Sequence, residues 1–296
     1  MTVPKRVTEM CDRDERAEMS GQRSVDEALD GAKAAGLDRL DTQLLLAHVL
    51  ARPRTWLVAH GDARLDAAQS RTLDALIARR TTGEPIAYLV GEKAFHGLHL
   101  RVDRRVLVPR PDTEVLVDWA IELLSRTSRR EVLDLGTGSG AVALAVKRAC
   151  PSASVLATDI SGEALEVARD NATRLGLDVA TLQCAWWQGL EGRRFDLALS
   201  NPPYIAAGDP HLALLGHEPL LALTPGGDGL GALREIVSEA REGLRPGGWL
   251  LLEHGFDQAE AVQALLKARG FVGIETRRDL GGQPRCTGGH VQSAAS

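Results

Sequence analysis

The sequence predicts an α/β protein: a doubly wound sheet carried by residues 112–296, preceded by a small N-terminal helical domain over 21–82 and a β-hairpin linker over 83–111. Three observations predict it. From Glu131 onward, short apolar runs alternate with amphipathic helical patterns. A glycine-rich turn, Gly136-Thr137-Gly138-Ser139-Gly140, follows the first of those runs. Before about Ile86, apolar residues recur only at helical spacing.

Residues 1–20 are polar and mixed in charge, the composition of a disordered extension. Ser24 and Glu27 form an S-x-x-E capping box ahead of a first helix. Leu40, Leu44, Ala47 and His48 give a second, and Leu73, Leu76 and Ile77 a third that is entered near Asp66. The alternation Leu98-His99-Leu100-Arg101-Val102 and the run Val106-Leu107-Val108 read as the two arms of the hairpin. Pro109-Arg110-Pro111-Asp112 stops it, and Asp112 is an N-cap for a helix through Leu116, Trp119, Ala120, Leu123 and Leu124.

Strands follow at Val132–Leu135, Val155–Thr158, Phe195–Ser200 and Trp249–Leu252, with a weaker one at Val179–Cys184. Helices fill the gaps at Ala141–Cys150, Gly162–Leu175 and Leu230–Leu244. No helical pattern separates Phe271–Thr276 from Arg285–Val291, so these two runs suggest an antiparallel edge hairpin.

Bulk properties narrow the function. A net charge of -5 argues against a general phosphate-backbone binder, which leaves a basic footprint. The four cysteines, Cys11, Cys150, Cys184 and Cys286, form no C-x-x-C pair, so neither a zinc site nor a disulfide framework is expected. The charged N-terminal stretch has no apolar core, and no apolar run is long enough to span a membrane. A cytoplasmic protein is expected.

Two constellations carry chemistry. The first is Asp134-Leu135-Gly136-Thr137-Gly138-Ser139-Gly140, at a strand end that opens a helix. The glycines let the backbone turn and let a ligand approach without a Cβ in the way. The helix N-terminus beyond favours a carboxylate or a phosphate. Asp134 can sit near the ammonium group of an amino-acid-containing cofactor. Asp159 ends the second strand, where an acid accepts hydrogen bonds from a ribose diol; capping the following helix is its alternative. The glycine spacing is G-x-G-x-G, which is not the dinucleotide fingerprint.

The second constellation is Asn201-Pro202-Pro203-Tyr204, directly after the strand Phe195–Ser200. An amide nitrogen is a poor nucleophile because its lone pair is delocalised. A site that methylates one must hold it in line and favour a pyramidal nitrogen. The Asn201 side-chain oxygen and the Pro202 carbonyl can each accept one N–H, leaving the lone pair free. The prolines stiffen the loop. Tyr204 can cover a planar substrate.

At these residues the sequence resembles the HemK/PrmC protein-(glutamine-N5) methyltransferases, over roughly residues 22–291. The resemblance includes Glu84 to Leu89, Pro109-Arg110-Pro111-Asp112-Thr113-Glu114, the glycine loop, Asn201 to Ile205, and Leu251-Leu252-Glu253-His254-Gly255. It implies a Rossmann-like class I S-adenosylmethionine-dependent methyltransferase domain, a helical domain that docks substrate, and methylation of the glutamine in the Gly-Gly-Gln motif of class I peptide chain release factors. By the same resemblance Gly136, Thr137, Gly138, Ser139, Gly140, Asp159, Trp186 and Asn201 bind S-adenosylmethionine, and Asn201, Pro202, Pro203 and Tyr204 contact the substrate glutamine. The chain departs from many relatives at Ala185, where they carry an acid. No stable nucleic-acid partner and no metal are expected, and the protein is expected to be a monomer.

Glu253 and His254 end a strand on the active-site edge, yet methyl transfer needs no strong base, so a structural role is expected for both. Gly281-Gly282-Gln283 repeats the target tripeptide and is read as a turn between the last strands. The rival readings are methylation of a ribosomal-protein glutamine, amino methylation of a nucleic acid, a NAD-dependent oxidoreductase and a non-catalytic cofactor-binding module.

Overall fold

A computed structural model describes residues 22–126 and 130–293, so the extension expected over 1–20 lies outside the described residues. The chain forms two compact units, one ending at Val90 and one beginning at Gly91.

The first unit holds α1 (Val25–Ala34), α2 (Arg39–Leu50), α3 (Arg54–Ala59), α4 (Ala67–Thr81) and α5 (Ile86–Val90). The capping box forms: the Ser24 hydroxyl accepts from Glu27 N at 3.1 Å, and the Glu27 carboxylate accepts from Ser24 N at 2.6 Å. Asp66 and Gln69 repeat the arrangement at α4. Val25, Leu45, Leu46, Leu65 and Leu73 form a fully buried core. A short helix follows Gly83 and Pro85, inside the stretch expected to be a hairpin linker. Pro85 stands just ahead of α5, where its missing N–H costs nothing, and its carbonyl accepts from Tyr88 N and Leu89 N.

The second unit opens with a hairpin, β1 (Glu92–Phe95) and β2 (Leu98–Arg101), and not with Leu98–Val102 paired to Val106–Val108. Its two turn residues, His96 and Gly97, both have positive φ (44° and 73°), as a tight two-residue hairpin turn requires. Glu92-Lys93-Ala94 lacks β-branched residues, which hid the first strand. Phe95, Leu98 and Leu100 pack into the core of this unit. The expected linker 83–111 is thus divided between the two units.

The seven-stranded sheet contains β3 (Glu131–Leu135), β4 (Ser154–Asp159), β5 (Ala180–Gln183), β6 (Phe195–Ser200), β7 (Leu244–Glu253), β8 (Phe271–Arg278) and β9 (Pro284–Val291). Its order is β5-β4-β3-β6-β7-β9-β8. The first five in that order are parallel; β9 runs antiparallel to both β7 and β8. The sheet is covered on both faces. Leu116, Trp119 and Ala120 of α6 (Glu114–Ser125) and Leu144 of α7 (Ala141–Ala149) join Val132, Val155 and Leu197 on one face. Leu233 and Ile236 of α9 (Gly231–Gly243) and Val262 and Leu266 of α10 (Ala259–Ala268) join Leu133, Leu156 and Ala198 on the other. Burial on both faces explains why these strands read as continuous apolar runs. The remaining helix, α8 (Gly162–Leu175), is capped by Ser161, whose hydroxyl accepts from Ala164 N.

Asp112 is not the cap of α6. It lies in a 3-10 turn, Pro111–Thr113, and its carboxylate meets Arg285 at 3.3 Å. The residue at the cap position is Thr113, whose side chain makes no cap bond.

Candidate active site

The chain leaves β3 to build β4 and β5 on one side, then returns to place β6 on the other. The crevice at the carboxyl ends of β3 and β6 is therefore the topological switch point, where open α/β sheets bind ligands. Both sequence constellations sit there, the glycine loop after β3 and Asn201–Tyr204 after β6. The Ser200 hydroxyl ties the two strand ends together by donating to Leu135 O at 2.7 Å.

Asp134 is 1 % exposed. Its carboxylate accepts from the Thr137 hydroxyl (2.7 Å) and from Ala143 N (3.1 Å), stapling the glycine loop to the first turn of α7. Burial outweighs those donors and pushes its pKa up to about 6. Asp159 holds the loop from the other side: one oxygen accepts from Gly138 N and the other from Ser161 N, both at 2.9 Å. Burial raises its pKa as well. A carboxylate oxygen has two lone pairs, so Asp159 keeps acceptor capacity for a diol. Gly140 has φ 84°, and a Cβ there would come within 2.9 Å of Leu144, so helix packing also needs this glycine.

Trp186 stands at positive φ (46°) and its indole N–H donates to Glu235 at 3.1 Å. With Asp134, Gly136, Thr137, Gly138, Ser139 and Asp159 it lines a pocket of about 570 Å3. That volume lies within the range of roughly 300–1,000 Å3 typical of small-molecule sites. Ala185 is also on the wall and brings no acid; the acids lining the pocket besides Asp134 and Asp159 are Glu163 and Glu235.

A second cavity of about 350 Å3 is lined by Leu107, Arg110, Pro202, Tyr204, Leu215 and Leu223 among others. Asn201 lines both cavities. Its Nδ2 donates to the Thr113 hydroxyl at 3.0 Å, which leaves Oδ1 as its acceptor for a ligand. The loop is held from behind as well: Gln258 donates to Tyr204 O at 3.0 Å and Ile205 N to Leu223 O. A Cβ on Gly229 would lie 2.4 Å from Tyr204 O. Arg110 pairs with the buried Glu218, whose other oxygen accepts from Val108 N at 3.0 Å.

Tyr204 donates to Glu253 Oε1 at 3.3 Å, and burial raises the pKa of its hydroxyl, so it stays neutral. Glu253 is 1 % exposed and burial pushes its pKa up to about 7. His254 is spent on protein partners. Its Nδ1–H donates to Gly255 O (2.8 Å), and Nε2 accepts from the Thr287 hydroxyl (2.7 Å). Burial lowers its pKa, which favours this neutral tautomer. Gly281-Gly282-Gln283 forms the exposed turn between β8 and β9. Among the described residues no cluster of His, Cys, Asp or Glu could hold a metal. Thr113, Glu235 and Glu218 were not singled out from the sequence; Thr113 lay inside a flagged stretch, and nothing local marks the other two.

These residues fit S-adenosylmethionine. A buried carboxylate with a raised pKa favours an ammonium beside it, a half-buried acid suits a ribose diol, and an indole offers a flat wall to adenine. The comparisons agree. Residues 25–91 match the PrmC N-terminal domain, and residues 113–218 match the methyltransferase small domain. The release factor glutamine methyltransferase of Xylella fastidiosa strain Temecula1 is 48% identical over 88% of this chain and 96% of its own length. Those of Bordetella pertussis and Escherichia coli K12 are 48% and 41% identical over 86% and 91% of this chain, and 96% and 98% of their own. Among solved structures, a methyltransferase from Pyrococcus furiosus aligns with TM-score 0.50 at 21% identity, covering 74% of this chain and 98% of its own. The 16S rRNA N2 G1207 methyltransferase of T. thermophilus, solved with AdoMet and guanosine, aligns with TM-score 0.51 at 21% identity, covering 68% and 50%. At such identities these structures speak for the fold. The glycine loop, the Asn-Pro-Pro-Tyr loop and relatives that span nearly the whole chain lead to one conclusion: this chain belongs to the release factor glutamine methyltransferase family and is an S-adenosylmethionine-dependent methyltransferase.

Proposed function

We propose that the enzyme methylates the side-chain amide nitrogen (N5) of the glutamine in the Gly-Gly-Gln motif of class I peptide chain release factors. The observation that carries this reading is the tether on Asn201: one Nδ2–H donates to Thr113, which turns the amide so that Oδ1 is free to accept from a substrate amide. Bound in the larger pocket, S-adenosylmethionine supplies a methyl group on a positively charged sulfur. There Asp134 would lie near the ammonium, the loop Gly136–Ser139 would receive the amino-acid end, Asp159 would accept from the ribose diol and Trp186 would cover adenine, while Gly140 stays off the pocket wall with its N–H on Thr137 O. The target glutamine enters the smaller, mostly apolar cavity. Asn201 Oδ1 and the Pro202 carbonyl each accept one of its two N–H groups. That pairing favours a pyramidal nitrogen and leaves its lone pair aimed at the other pocket. Pro203 stiffens the loop, and the neutral Tyr204 ring packs beside the planar amide. The extra proton of the methylated nitrogen is acidic and leaves to water, so no strong base is required.

The helical unit ending at Val90 carries none of these groups and is read as the part that recognises the protein substrate. The names of the relatives support a release factor as that substrate. No helix among the described residues is long and apolar enough to cross a membrane. The reading has the enzyme act as a monomer in the cytoplasm, without stable nucleic-acid binding. Labelled S-adenosylmethionine should be offered with a purified release factor, with ribosomal protein and with RNA in separate reactions. Label in the release factor alone is expected; label only in ribosomal protein or RNA would overturn the assignment.

A further inference from the structure

Adenine, the base of S-adenosylmethionine, has a flat face and a 6-amino group that donates hydrogen bonds. A pocket that reads the base needs a wall for the face and an acceptor for the amino group. Three neighbouring strands lay out the larger pocket. Asp134 and the glycine loop stand at the end of β3, Asp159 ends β4, and Ala185 and Trp186 follow the end of β5. A cofactor with its amino-acid end at β3 and its ribose at β4 therefore has its base beyond β5, where the Trp186 indole stands.

Most polar groups around that indole are already engaged. Ala185 brings no polar side chain, and its carbonyl accepts from Gln188 N at 2.9 Å. The Cys184 thiol donates to Trp186 O at 3.6 Å. Asp159, whose oxygens hold Gly138 N and Ser161 N, is placed at the ribose. Glu235 is different. It is an exposed residue of α9 on the pocket wall, and its Oε2 accepts from the Trp186 indole N–H at 3.1 Å. Among the described residues its Oε1 has no hydrogen-bond or ion-pair partner.

The place of Glu235 is fixed from behind. The next residue along the loop, the buried Trp187, donates from its own indole to the carbonyl of Ile236, the neighbour of Glu235, at 2.9 Å. A Cβ on Gly243, at the end of α9, would lie 2.2 Å from the Trp187 ring, so helix and ring are closely packed. Two adjacent tryptophans thus hold α9 against the loop after β5, one through the helix backbone and one through the Glu235 carboxylate. An indole N–H lies in the plane of its ring, so Glu235 stands at the edge of the wall. A base lying on the face of that ring turns an edge of its own toward the same carboxylate.

We propose that Glu235 is the residue that selects adenine: Oε2 holds the Trp186 indole in place, and Oε1 accepts from the 6-amino group of the base lying on it. A carboxylate only accepts, so a purine without the amino group loses this bond. The proposal rests on the reading of Trp186 as the adenine wall, and its test needs no methyl acceptor.

The test compares two ligands by calorimetric titration: S-adenosylhomocysteine, and its analogue with hydrogen in place of the 6-amino group. The analogue keeps the ring face, the ribose and the amino-acid end, so the ratio of the two affinities isolates the amino contact. The wild type should bind S-adenosylhomocysteine about tenfold more tightly than the analogue. In Glu235→Ala that ratio should fall below about twofold, and both ligands should bind more weakly because the indole is no longer held. Glu235→Gln keeps an acceptor without the charge and should give an intermediate ratio of about threefold. Glu163, the other unassigned acid on the wall, serves as the control: Glu163→Gln should keep the wild-type ratio. Trp186→Ala should weaken both ligands roughly tenfold. A wild-type ratio near one, or a ratio that survives Glu235→Ala while Trp186→Ala weakens binding, would overturn the proposal and leave the adenine wall standing. A ratio lost in Glu163→Gln and kept in Glu235→Ala would overturn it in favour of Glu163. Wild-type affinity of Trp186→Ala for both ligands would remove the wall itself, and the proposal with it.

Discussion

Gly136 lies against the Trp186 ring: a Cβ built on Gly136 would sit 3.3 Å from Trp186 Cζ3. Gly136 also has φ 73°, a conformation that side chains other than glycine adopt at a cost. The backbone here is fixed, because Gly136 N and its neighbour Thr137 N both donate to Thr158 O. The loop cannot retreat, so the indole must. Gly136→Ala should therefore cost about 1–2 kcal/mol in stability and weaken S-adenosylhomocysteine binding roughly tenfold. Calorimetric titration checks this, and an unchanged affinity would remove Trp186 from the cofactor wall.

Asp159 joins two tasks, since its oxygens bind Gly138 N and Ser161 N while it lines the pocket. Asp159→Ala should weaken S-adenosylhomocysteine binding by about 1.5–3 kcal/mol, the scale of hydrogen bonds to a charged acceptor. A folded variant with wild-type affinity would exclude Asp159 from ribose recognition and leave it only as the tie between the two loops.

Asp134 gives a pH signature. Burial raises its pKa from the ordinary carboxyl value of 3.8 to about 6 in the folded protein, so between those values the folded state binds more protons than the unfolded state. Stability from this group is complete below the unfolded value and is lost as pH rises through about 6. Asparagine can supply the oxygen that accepts from Thr137 and Ala143, without the titration. The stability of Asp134→Asn relative to wild type should therefore grow by about 2–3 kcal/mol between pH 4 and pH 7. Denaturant unfolding at several pH values measures it; a constant difference would contradict the raised pKa.

The sheet and both chemical loops were legible because each rests on local chemistry: doubly buried strands, a glycine turn, and a proline-stiffened loop after a strand. What was not legible depends on long-range partners. The first hairpin strand carries Glu92-Lys93-Ala94, a pattern without β-branched residues. Asp112 looks like a cap in sequence, yet Arg285, distant in the chain, draws it away. Thr113 becomes important only because the fold brings it to Asn201, and Glu235 only because Trp186 reaches it. Glu253 read as structural because the reaction needs no base; its contact with Tyr204 and its unpartnered oxygen appear only in three dimensions.

The helical unit should matter for protein substrates more than for peptides, because a glutamine flanked by glycines offers few side chains to recognise. Remote contacts must supply the discrimination. A variant lacking residues 1–90, once shown to fold and to bind cofactor, should lose far more kcat/KM on an intact release factor than on a Gly-Gly-Gln peptide. Equal proportional losses would mean that this unit does not read the substrate.

The most direct test maps the methyl group itself. A purified release factor is incubated with the enzyme and S-adenosylmethionine, then digested and sequenced by tandem mass spectrometry. The account predicts one added methyl on the side-chain amide of the Gly-Gly-Gln glutamine, formed roughly two to three orders of magnitude more slowly with Asn201→Ala even at saturating cofactor. A methyl on any other residue, or an Asn201→Ala enzyme with near-normal single-turnover rate, would contradict it.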